Sequence, residues 1–125
     1  MFTHNDAFSG FSVDNIDTAV AFYQDTLGLP VEKDEYGGKI TLGNGHSVYM
    51  YPKENHVPAT YTMLNFMVDD IQKAADMLAE KGIMLEKYEG LTDEHGIAWG
   101  KKQNKGPNIA WFLDPAKNIL AIVEK

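Results

Sequence analysis

The chain carries an internal repeat. Residues FSVDNIDTAVAFYQDTLGLPVE, beginning at Phe11, line up with FMVDDIQKAADMLAEKGIMLE, beginning at Phe66, at an offset of 55 that becomes 54 near the glycine. Phe, Val, Asp, Ile, Ala, Gly and Glu recur in register, which is the mark of two copies of one supersecondary unit stacked into one core. The 125 residues hold two such copies and little else, so the chain reads as a single domain, 1–125, made of a first repeat over 1–55 and a second over 58–125. YPKENHVPAT is the joint, because Pro52 and Pro58 bracket polar residues and cannot both continue a sheet ladder.

Each half opens with an apolar extended run, Ala7–Val13 and Tyr61–Val68, ended by an Asx pair whose side-chain oxygen can cap a following helix. In the first helix Ile16, Ala19, Val20, Tyr23 and Leu27 form a single apolar stripe. Gly28 suits the left-handed position past its end. Ile71, Ala74, Ala75 and Leu78 repeat the stripe, closing at Gly82. Short β-like runs follow each helix: PVEKDEY, GKITL and SVYMY, then MLEKYE, NIAWFL and NILAIVEK. The spacing predicts β-α-β-β-β twice. Between Glu89 and Asn108 the polar stretch LTDEHGIAWGKKQNKGP is longer than an ordinary connection, as a lid or binding loop would be, and equally as a disordered insertion would be.

Zero cysteines exclude a disulfide scaffold, a zinc ribbon and a cysteine nucleophile. Eleven Lys+Arg against eighteen Asp+Glu leave a net charge of -7, which repels nucleic-acid phosphates and anionic membrane surfaces. No run approaches the length of a membrane span, and the start lacks the order of a secretion signal. The expectation is a cytoplasmic protein with neither nucleic acid nor membrane as partner.

AFYQDTLGLPVE after a strand and an Asx turn, together with WFLDPAKNILAIVE at the end, resembles the vicinal oxygen chelate superfamily, which groups glyoxalase I, extradiol dioxygenases, fosfomycin-resistance enzymes and bleomycin-resistance proteins. The resemblance covers nearly the whole chain. It implies an α+β fold of two βαβββ modules in tandem, with curved mixed sheets and helices on their convex side. Lys117 departs from it, standing where the terminal DP-x-G-N element usually has glycine. The resemblance also implies a divalent metal held by inward-facing His, Gln or Glu on the first and last strands of each module. Carried over residue by residue, those positions fall on Phe8, Met63, Ala121 and Tyr49, with Tyr51 on the same face as Tyr49. A divalent ion here needs imidazole or carboxylate donors at about 2.0–2.2 Å, so no metal and no cofactor are expected. The nearest character is that of the metal-free, bleomycin-resistance-like branch.

Strand parity extends the lining, since residues i and i+2 share a face. Phe8 brings Ser12, Met63 brings Tyr61 and Asn65, and Tyr49 brings Tyr51. Trp99, in the long polar stretch, is the lid candidate, and Trp111 lies on a strand of undecided facing. The expected function is a metal-independent protein binding a small aromatic or flat organic molecule in an apolar cleft, working as a homodimer. Two enzyme readings stand beside it. One is a metal-dependent lyase or dioxygenase using displaced donors among His46, His56, Glu94 and His95. The other is a metal-free enzyme with Tyr49 or Glu94 as acid or base.

Overall fold

The computed structural model describes all 125 residues, which divide into two compact units, Met1–Pro58 and Ala59–Lys125. In the first, β1 (Ser9–Val13) leads into α1 (Ile16–Ala21), followed by β2 (Val31–Lys33), β3 (Gly38–Thr41) and β4 (Ser47–Pro52). The second repeats the order with β5 (Thr62–Val68), α2 (Ile71–Glu80), β6 (Ile97–Trp99), β7 (Asn108–Leu113) and β8 (Ile119–Glu124). Each sheet is mixed. The strand orders are β1-β4-β3-β2 and β5-β8-β7-β6, with the first and last strands of each unit parallel and the remaining pairs antiparallel. The result is an α+β fold of two βαβββ modules.

The helices begin where the Asx residues dictate. Asn15 accepts the Thr18 N–H at 3.0 Å and Asp70 accepts the Lys73 N–H at 3.1 Å, each satisfying a donor that the first turn leaves orphaned. α1 runs on into one wider turn, Phe22–Thr26, closed by the Leu27 N–H on the Phe22 carbonyl. Gly28 and Gly82 then take positive φ, 75° and 79°, as glycine permits and other residues resist. α2 also rests on Glu124, whose carboxylate accepts the Ile71 N–H at 3.0 Å and the Asn108 amide at 2.8 Å. No helix is long and apolar enough to cross a membrane.

Alternation along the strands sorts the side chains. Phe11, Val13, Ile40, Val48 and Met50 are buried on the helix face of the first sheet, where the Phe11 ring lies 5.7 Å from that of Tyr23. Ile97, Ala110, Phe112, Leu120 and Ile122 do the same in the second. The opposite face of each sheet, here called its open face, takes the residues between.

Two expected elements differ. MLEKYE is not a strand: its Glu86 N–H reaches the Trp111 carbonyl at 2.8 Å, but the place beside β7 belongs to Ile97–Trp99, which pairs with 108–110. The stretch from Glu89 to Asn108 is therefore no structureless loop, since β6 lies within it and forms a hairpin with β7. Gly96 makes this arrangement feasible. Its φ is 98°, and a Cβ there would sit 2.7 Å from Leu85 Cβ.

Candidate functional site

On the open face of the first unit, register sets Gly10 and Lys39 on either side of Tyr49, and Ser12 beside Tyr51. Phe8, just ahead of β1, adds a ring 6.4 Å from that of Tyr49. Phe8 and Tyr51 are 72% and 39% exposed. Such exposure of large apolar side chains is informative when they cluster. The Tyr49 hydroxyl donates to Asp34 Oδ1 at 2.7 Å. Gly37 makes the approach feasible, since a Cβ there would lie 3.1 Å from the Tyr49 hydroxyl and 2.1 Å from the Met50 carbonyl. Removal from water and the Asp34 hydrogen bond push the Tyr49 phenol up to about 12. The same bond, with the Tyr36 and Gly37 N–H groups, holds the Asp34 carboxyl below its ordinary value. Ser12 Oγ is hydrogen-bonded to His56 Nδ1 at 2.6 Å, both half-buried.

The second unit's open face is built around Trp111, which pairs with Ala121, itself opposite Asn65. The facing of Trp111 is thereby fixed. Tyr88 meets its ring edge-to-face at 5.4 Å, and its indole N–H donates to Thr62 Oγ at 3.0 Å. An irregularity between Thr62 and Leu64 leaves Met63 as an extra residue, so Thr62 pairs with Ile119. The parity argument fails there. Thr62 takes the place opposite Ile119 expected of Met63, and Tyr61 lies before the strand and is 69% exposed. Thr62 and Tyr88 were not candidates from sequence. A bulge has no compositional signature, and Tyr88 arrives through a non-strand segment.

Of the expected residues, the fold brings together Phe8, Ser12, Tyr49 and Tyr51 in one unit, and Asn65, Trp111 and Ala121 in the other, with Met63 at the bulge. Trp99 stands apart. It ends β6 opposite Asn108, on the helix face of the sheet. Its indole N–H donates to Asp93 Oδ2 at 2.8 Å, and the Lys102 ammonium lies 5.0 Å from its ring centroid. Burial pushes the Asp93 carboxyl up, yet the hydrogen bonds from Ile97, Trp99 and His95 outweigh it and leave the group below its ordinary value.

The side chains do not fit the divalent ion of the vicinal oxygen chelate pattern. Phe8, Met63 and Ala121 offer no donor of suitable hardness, and the Tyr49 phenol stays protonated, with its O–H donated to Asp34. No three His, Cys, Asp or Glu side chains converge anywhere in the chain. Of the displaced donors, His46 lies in a turn beside Asn44, His56 is engaged by Ser12, and Glu94 and His95 form an exposed pair at 3.6 Å.

Comparison with solved structures returns the same architecture. A glyoxalase family protein from Enterococcus faecalis superposes with a TM-score of 0.69 at 20% identity, covering 99% of this chain and 100% of its own. A fosfomycin resistance protein from Listeria monocytogenes gives 0.69 at 9% identity, with 99% and 95% covered. TnmS3, an antibiotic binding protein from Streptomyces sp. CB03234, gives 0.63 at 18% identity, with 98% of each chain covered. A search among proteins of curated function found no match. At these identities the likeness is one of fold, but residues 7–122 also match the sequence pattern of the Glyoxalase/Bleomycin resistance protein/Dioxygenase superfamily, and to that superfamily the chain belongs.

Proposed function

We propose that the protein binds a flat, aromatic small molecule without a metal, using the aromatic open faces of its modules. The observation that carries this reading is the exposed cluster of Phe8 and Tyr51 around Tyr49. Core filler is buried, and these rings are not. The Trp111–Tyr88 pair supports it in the second unit, because apolar walls with a few fixed polar groups are the usual make-up of small-molecule sites. That TnmS3, of the same fold, is an antibiotic binding protein also supports a binding role. A tyrosine base fits poorly, since a phenol at about 12 stays protonated near neutral pH.

Phe8→Ala is the test. With its ring 72% exposed, truncation should leave the melting temperature nearly unchanged while weakening an aromatic ligand by about 1–3 kcal/mol, the range for a packed contact residue. Calorimetric titration of a panel of aromatic compounds, repeated after dialysis against a chelator, reads both halves of the proposal. Unchanged affinity in Phe8→Ala would reject this face as the site. Loss of binding on chelation would reject metal independence.

A further inference from the structure

Asp34, in the turn between β2 and β3, stands at the margin of the first unit's open face, and its bonding is lopsided. Oδ1 accepts three hydrogen bonds, from the Tyr49 hydroxyl at 2.7 Å, the Tyr36 N–H at 2.8 Å and the Gly37 N–H at 2.9 Å. All three donors are spent on one oxygen of this exposed residue, and none falls on Oδ2. No basic side chain pairs with it: Lys33 pairs with Asp17, and Lys39, the register neighbour of Tyr49, pairs with Glu32. The carboxylate is thus fixed in place before any ligand arrives, a condition that lowers the cost of binding.

At the Asp34 end of this face the polar groups are acceptors, and Lys39, the donor beside Tyr49, is paired with Glu32. The Tyr49 O–H is directed at Asp34, so the phenol oxygen has only lone pairs to offer a ligand, as does Asp34 Oδ2. Gly10, paired with Tyr49, puts no side chain between that ring and Phe8. The unit as a whole carries three lysines against eight acidic residues over 1–58, so its field favours a cation.

We infer that Asp34, oriented by Tyr49, selects ligands bearing a protonated nitrogen, so that the molecule held on this face is a planar organic cation such as an aromatic amine or amidine. The inference rests on the aromatic-binding reading above and narrows it. The N–H of the cation makes a charge-assisted hydrogen bond to Oδ2, and its flat body lies against the exposed Phe8 ring, which stands at 72° to Tyr49 and whose face attracts positive charge. A planar anion would meet an unpaired carboxylate.

Fluorescence titration of the full chain with proflavine, a three-ring planar cation, and anthracenecarboxylate, a three-ring planar anion, tests this. Proflavine should bind at least about tenfold more tightly. Asp34→Asn keeps an oxygen for the same three donors while removing the charge, so it should abolish the preference and leave the melting temperature in place. Glu35→Gln removes an equal charge from the same turn without touching the proposed contact, and the preference should survive it. Equal binding of the two dyes by the wild type, or an equal loss in Glu35→Gln, overturns the inference while leaving the aromatic site standing. So does a folded Asp34→Asn that keeps the preference. If neither dye binds, the site and the inference fall together, and the wild-type comparison decides alone should Asp34→Asn not fold.

Discussion

The surroundings bind the proton of Tyr49 more firmly than water does and hold the backbone of Lys117 in a conformation it resists, and each has a measurable consequence. The phenol of Tyr49, raised to about 12 from 10.0, favours the folded state fully below pH 10 and loses that contribution as the pH climbs through its folded value. Tyr49 should therefore titrate late in the phenolate absorbance, and Tyr49→Phe should remove one late step. Lys117 adopts φ 71°, a left-handed conformation costing a non-glycine residue about 1–2 kcal/mol. The turn imposes it, because Asp114 accepts both the backbone N–H and the side-chain amide of buried Asn118, at 2.9 and 3.0 Å. Lys117→Gly should raise stability by up to about 1 kcal/mol in urea unfolding, offset in part by the greater freedom of glycine in the unfolded chain.

At the scale of elements, what the sequence made legible follows periodicity and capping. The Asx-capped helices over Ile16 and Ile71, the strands that precede them and the NIAWFL and NILAIVEK strands are all patterns with a local cause. The failures have non-local causes. MLEKYE has the composition of a strand, but a competing segment after Gly96 occupies the neighbouring ladder. Trp99 looked like a loop residue because β6 is only three residues long, too short to show alternation. On the first open face, the Ser12–His56 and Tyr49–Asp34 hydrogen bonds join residues distant in sequence, which no spacing rule reveals. The bulge at Met63 displaced the parity argument by one residue and concealed Thr62. Its importance can be measured: Thr62→Val keeps the shape and deprives the Trp111 indole N–H of its partner, which should cost about 1 kcal/mol in urea unfolding. An unchanged midpoint would mean that water replaces the hydroxyl without loss.

For the whole molecule, the outer strand of each sheet raises the question of assembly. β1 and β5 are edge strands in the sheet order, and an unpaired row of backbone donors and acceptors is a template for association unless something covers it. We expect a two-fold homodimer, and sedimentation at micromolar concentration should give about twice the 14.0 kDa chain mass; a monomer there would refute it. The parallel pairing also sets a schedule for folding. Ser9 must wait for Val48, and Thr62 for Ile119, because the strand that opens each module is hydrogen-bonded to the strand that closes it. Neither sheet can form progressively from its beginning, so each module is a single long-range closure, of the kind that slows folding. On the ribosome the first module has its closing strand before the second has its opening one, which allows the two closures to happen in turn and keeps strands of the same repeat from competing for one partner.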